Sequence, residues 1–135
     1  MSASQAENLT KQERVCSKLL IDRLFNGGKS HSMSAYPLRV VYMYMQAEDI
    51  ANGYEPNTQL LVSVPKKCFK RAVKRNRVKR QVREAYRRNR SIVSEKLSDG
   101  CRLVMAFIWL DPKLYDTAVV EVKMKNLIQR ISEKI

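Results

Sequence analysis

The chain has 135 residues, 44% of them hydrophobic, which suits one domain with a single modest core. Its 26 Lys and Arg against 13 Asp and Glu give a net charge of +13 and a pI near 10, a balance that points to a polyanionic partner and says nothing of fold. No apolar run reaches the roughly 20 residues that span a bilayer, and the opening MSASQAEN lacks the basic start and apolar stretch of a signal peptide.

Residues 1–11 are small and polar and are expected to be disordered, leaving 12–135 as one domain. From Val15 to Phe25, the apolar Leu20, Ile21, Leu24 and Phe25 recur as one face of a helix. Gly27-Gly28 supplies its stop, since glycine tolerates the left-handed cap conformation. The following Ser-rich stretch, which holds the lone histidine His31, reads as a loop.

Residues 37–46, PLRVVYMYMQ, are β-branched and aromatic and predict a strand. Alternation puts Tyr42 and Tyr44 on one of its faces and Val41 and Met43 on the other. Residues 47–57 carry turn signals and read as a long exposed loop. Residues 58–65, TQLLVSVP, predict a second strand that can pair antiparallel with the first across that loop.

The basic block follows. Lys66 to Arg90 holds 13 Lys and Arg and one acid, Glu84, whereas the rest of the chain holds 13 bases and 12 acids. Nearly all the excess charge therefore lies in one segment. Within it Val78, Val82, Ala85 and Tyr86 form a narrow apolar stripe on a helix. Asn76, Lys79, Arg80, Arg83 and Arg87 share a face beside that stripe.

Asp99-Gly100 predicts a turn before residues 101–109, CRLVMAFIW, a third strand whose nearly continuous apolar run implies burial on both sides. Asp111-Pro112 breaks it, and Asp116 is placed to cap a last helix. There Val120, Met124, Leu127, Ile128, Ile131 and Ile135 keep helical spacing. The order αββαβα predicts an α+β domain, a small sheet with helices packed on one side. Cys16, Cys68 and Cys101 show no C-x-x-C spacing and are expected as reduced thiols of a cytoplasmic protein.

Three readings compete for the basic helix. A merely solvated face is a poor account, because like charges in such number repel one another and weaken the helix. A membrane-surface helix needs a broad apolar face, and here the narrow stripe is required by the core. A nucleic acid supplies the missing counter-charge through release of its condensed cations.

The segment 60–80, LLVSVPKKCFKRAVKRNRVKR, makes the third reading specific. An apolar strand with Val62-Ser63-Val64 leads to Lys66-Lys67. A spacer follows, then Ala72-Val73, Arg75-Asn76-Arg77 and Lys79-Arg80. In that register it resembles the signature of the bacterial ribonuclease P protein subunit. The likeness extends over residues 9–133, with Phe25 and Gly27 closing a first amphipathic helix as in the family. Ile21 stands where the family often has Phe, and the spacer Cys68-Phe69-Lys70-Arg71 lacks the family's common glycine. The loop 47–57 is longer than in many members.

The resemblance implies a two-layer α/β sandwich with a left-handed β-α-β crossover through the basic helix. It implies a partner, a large catalytic RNA, and a substrate, precursor tRNA, whose 5′ leader the ribonucleoprotein removes. One protein per RNA is implied, with Mg²⁺ required alongside the RNA and no cofactor bound by the protein alone. Arg75, Arg77, Lys79, Arg80 and Arg83 are then expected on RNA phosphates, with Lys66 and Lys67 extending the basic edge and Lys74 and Arg87 as further RNA-binding residues. Asn76, neutral and able to donate and accept, is expected to orient a metal-bound water or a 2′-hydroxyl. Ile21, Phe25, Tyr42 and Tyr44 are expected to line a leader cleft between the first helix and the sheet.

The residues themselves fit a protein that leaves the chemistry to RNA. A protein nuclease needs metal-binding carboxylates or a histidine acid–base pair. This chain has one histidine, and Asp49, Asp111 and Asp116 read as turn and cap residues. A structural ribosomal protein or general RNA chaperone of similar fold is the rival. A helix-turn-helix DNA reader is a weaker one, since the basic helix lacks a paired helix.

Overall fold

The computed structural model describes residues 18–26, 28, 30–45, 58–97 and 101–135. The expectations for residues 1–11, Cys16, Gly27, the loop 47–57 and the Asp99-Gly100 turn lie outside the described residues. The elements in chain order are α1 (Lys18–Asn26), β1 (His31–Ala35), β2 (Leu38–Met45), β3 (Thr58–Ser63), α2 (Ala72–Asn89), the short α3 (Ser91–Ser94), β4 (Arg102–Trp109) and α4 (Thr117–Ser132).

β1 corrects the reading of His31 and its serines as loop. HSMSA alternates, with His31, Met33 and Ala35 paired opposite the inward residues of β2, Tyr42, Val40 and Leu38. Its outward positions are serines, so the strand is polar overall and passes for loop. Tyr36-Pro37, joined by a cis peptide bond, links β1 to β2.

The sheet order is β1-β2-β4-β3. β2 pairs antiparallel with both β1 and β4, while β3 runs parallel to β4. β2 and β3 are therefore not neighbours, contrary to the pairing expected across the 47–57 loop. β4 enters between them because it alone is apolar at nearly every position. Leu103, Met105, Phe107 and Trp109 face one side, Val104 and Ala106 the other, and all are buried.

The larger core lies on the first side. Leu38, Val40, Leu60, Val62 and the four inward β4 residues pack against Val78, Val82, Ala85 and Tyr86 of α2. Val120, Met124, Leu127, Ile128 and Ile131 of α4 close the same core and are fully buried. Tyr86 meets Phe107 with ring centroids 6.1 Å apart. The two helices are tied side by side where Gln81 Nε2 donates to the Tyr115 carbonyl at 3.0 Å and to Thr117 Oγ1 at 3.2 Å.

The opposite face carries a smaller cluster, Val41, Met43, Val104 and Ala106, with Leu24 of α1 buried against it. The α+β class and the two-layer body hold, but helices are not confined to one side. Burying β4 on both faces demands cover on both, and α1 supplies the second. Gly28, at φ +76°, adopts a left-handed backbone just beyond α1, as the expected glycine stop requires.

Candidate nucleic-acid interface

Between β3 and α2 the chain makes a compact basic loop. Cys68 and Phe69 are buried and anchor it, and the Cys68 amide donates to the Pro65 carbonyl at 3.0 Å. Among the described residues no non-glycine residue has positive φ, so a spacer without glycine closes unstrained here. Lys66, Lys67, Lys70 and Arg71 are left exposed. Lys70 and Arg71 belong to this surface and were not singled out in the sequence, because their register relative to Phe69 is set by its burial.

α2 then divides as its period predicts. The seam of Val78, Val82, Ala85 and Tyr86 is buried, and Lys74, Asn76, Arg77 and Arg80 are exposed. Lys79 and Arg83 flank the seam and are half-buried. Asn76 is neither the cap residue, which is Arg71, nor a buried filler. It stands exposed within the first turns of α2, between Arg75 and Arg77.

Several of the arginines are engaged within the protein. Arg75 Nη1 donates to the carbonyls of Phe69 at 2.9 Å and Lys70 at 2.7 Å, fastening the loop to the helix. Arg87 is paired with Glu84, its Nε donating to Oε2 at 2.9 Å, and Arg88 adds Nε to Glu84 Oε1 at 3.4 Å. The Arg87 hydrogen bond, the largest cause, holds the Glu84 carboxyl below the usual carboxylate value. Arg88 also reaches Glu121 of α4 at 3.5 Å. The cationic surface with fewest internal ties is thus Lys66, Lys67, Lys74, Arg77 and Arg80, with Lys79 and Arg83 beside it.

The second expected site divides differently. Ile21 is half-buried against the smaller cluster and Phe25 is 44% exposed on α1. Tyr42 and Tyr44 point to the other side of the sheet, so the four residues do not line one cleft. Strand alternation fixes this: Val41 and Met43 pack toward α1, and Tyr42 joins the larger core. On the α1 face the register aligns exposed Arg39 with half-buried Ile108, and Ile108 with Ser63, beside Leu61. Arg39 is a cation of that face that sequence reasoning passed over; alternation from Val41 carries the signal.

The acidic residues play local parts. Asp111 is buried: Tyr115 donates its hydroxyl to Oδ2 at 2.5 Å and the Lys113 amide donates to Oδ1 at 2.9 Å. The Trp109 indole donates to the Asp111 carbonyl at 2.6 Å, which fixes the chain as it leaves β4. Asp116 occupies the N-cap position of α4, as expected, but its side chain makes no cap hydrogen bond. Cys68 and Cys101 are free thiols. Among the described residues no three His, Cys, Asp or Glu side chains gather as a metal site, and no helix is long and apolar enough to cross a membrane.

Comparison with known proteins agrees with this architecture. The family model described as Ribonuclease P matches residues 9–132. The ribonuclease P protein component of Porphyromonas gingivalis is 38% identical over 136 residues, covering 100% of this chain and 94% of that protein. Among solved structures, the Staphylococcus aureus RNase P protein superposes with a TM-score of 0.66 at 21% identity, over 88% of this chain and 94% of its own. The Thermotoga maritima RNase P protein gives 0.61 at 23% identity, over 84% and 94%. The match over most of the length, carried by an α+β fold with a basic crossover helix and by 38% identity to a curated relative, places this chain in the ribonuclease P protein family.

Proposed function

We propose that this chain is the protein subunit of a ribonuclease P, binding a catalytic RNA and promoting removal of the 5′ leader from precursor tRNA. The observation that carries the reading is the one-sided α2. Its apolar seam is spent on the core while Lys74, Arg77, Arg80 and the lysines of the preceding loop face solvent. Cations displayed on a rigid helix screen the repulsion between phosphates of a folded RNA and a second RNA strand.

In this reading α2 holds the catalytic RNA and the α1 face of the sheet takes the leader. Phe25 offers a ring for stacking, and Arg39 a cation for the backbone. Mg²⁺ is bound by the RNA and supplies the chemistry of hydrolysis. Asn76 fits a supporting role there, because an exposed carboxamide can hydrogen-bond the water shell of an ion that RNA phosphates hold. Localisation in the cytoplasm and one protein per RNA go with this reading.

The test is cleavage of precursor tRNA by a bacterial ribonuclease P RNA over a Mg²⁺ series, with and without the protein. The protein should raise cleavage at low Mg²⁺. Nuclease-treated protein without added RNA should leave the precursor intact. Efficient cleavage by that RNA-free protein would overturn the proposal.

A further inference from the structure

Tyr42 and Tyr44, turned away from α1, open onto a separate cleft of about 580 Å³ on the helix side of the sheet. His31, Met33 and Lys134 share its wall. It lies where the start of β1 and the end of β2 meet the last turn beyond α4. The volume falls within the roughly 300–1,000 Å³ of small-ligand sites.

Its lining is selective. The His31 and Tyr42 rings lie 5.6 Å apart at an interplanar angle of 37°. Tyr42 is nearly buried, so it forms the floor, while Tyr44 is 38% exposed and stands at the mouth. Interaction with the Cys101 side chain, the largest cause, raises the Tyr44 phenol above its ordinary pKa. Lys134 adds an exposed ammonium.

We propose that this cleft binds one unpaired nucleotide of an RNA, its base against Tyr44 and His31 and its phosphate on Lys134. Aromatic faces accept any base by stacking, and a lysine beside them pairs with the attached phosphate. A cationic peptide would be opposed by the +13 charge of the chain. An acidic peptide would use the lysine and leave three rings without a partner. The site is distinct from the α2 surface and from the α1 face, since β2 turns Tyr42 and Tyr44 away from α1. The inference rests on RNA being the partner, as in the proposed function.

The test uses the full chain and a penta-uridine RNA. Titration of ¹⁵N-labelled protein should shift amides at 31–33, 42–44 and 134–135. Tyr44→Ala should weaken binding about ten-fold while Tyr44→Phe, which keeps the ring, stays near wild type. Lys134→Ala should flatten the log K versus log salt slope by about 0.7, the value for one phosphate of a single strand. Because Lys134 is exposed, that variant carries the test even if Tyr44→Ala loosens the fold. Wild-type affinity and slope in the Ala variants, or shifts confined to α1, its sheet face and α2, overturn the nucleotide site. The same protein preparation is assayed for binding to catalytic RNA. Retained binding there, with no effect at the cleft, removes this inference alone; loss of it in the unmutated chain removes the RNA-subunit reading.

Discussion

Arg75 turns back along its own helix and donates from Nη1 to the Phe69 carbonyl, 2.9 Å away. The bond joins the first turn of α2 to the loop that carries Lys66, Lys67 and Lys70. It makes Arg75 a fastener for the basic surface as well as part of it. Arg77, two residues on, is exposed.

The two arginines should therefore separate on mutation. Arg75→Ala should destabilise the protein by about 1.5 kcal/mol, the lower end of the range for charged hydrogen bonds because the group is only partly buried. It should also speed hydrogen exchange in the 66–71 loop. Arg77→Ala should leave the melting temperature unchanged and flatten the salt slope of RNA binding by roughly 0.7–0.9, the loss of one phosphate contact. Thermal melts and filter binding over a salt series measure both, with exposed Lys113→Ala as the control.

Asn76→Ala removes no charge, so its salt slope should match wild type. Its defect should appear in the Mg²⁺ dependence of cleavage by the reconstituted ribonucleoprotein and fade as Mg²⁺ is raised. Wild-type activity at every Mg²⁺ concentration would leave Asn76 without that role.

Val82 and Arg83 are adjacent in sequence and differ in environment. Val82 is fully buried under the sheet, so Val82→Asp should cost at least about 4 kcal/mol and unfold the protein near neutral pH. Arg83→Ala, at a half-buried position on the flank of the seam, should cost far less stability than Val82→Asp and should weaken RNA binding. Chemical denaturation with parallel binding assays distinguishes them.

On α1, Leu24 and Phe25 form a similar pair. Leu24 is fully buried, and Leu24→Ala should cost about 2–5 kcal/mol. Phe25 is 44% exposed, so Phe25→Ala should keep most of the stability. Its effect should appear in the affinity for precursor tRNA relative to mature tRNA, measured with the ribonucleoprotein.

Asp111 and Tyr115 set stability at both ends of the pH scale. The Tyr115 hydrogen bond, the largest cause, lowers the Asp111 pKa from 3.8. The resulting stabilisation is present above the unfolded value and is lost as pH falls through the lowered folded one. The same bond pushes Tyr115 up to about 12. Its contribution is intact below the unfolded value near 10 and is lost as pH rises from there to about 12. Denaturation of Tyr115→Phe across pH should show both dependences reduced relative to wild type.

Much of this protein is determined locally. The seam of α2, the buried positions of α4, the double-sided burial of β4 and the clustering of charge in 66–90 all follow from side-chain periods along single elements. Those periods depend only on 3.6 residues per helical turn and two per strand repeat. The family signature is likewise contiguous, since the loop and helix start that carry it are covalently joined.

Tertiary structure decided which surfaces meet. Alternation puts Tyr42 and Tyr44 on one face of β2, yet only the packed sheet shows that α1 covers the other. β4 takes the place between β2 and β3 because both its faces must be buried, a demand that concerns distant segments. Arg75 and Arg87 are indistinguishable from their neighbours by composition; the Phe69 carbonyl and Glu84 engage them through geometry. β1 is held by its partner strand, because HSMSA has too little apolar surface of its own to declare itself. A residue's period names its face, and the free energy of non-local packing selects what that face lies against.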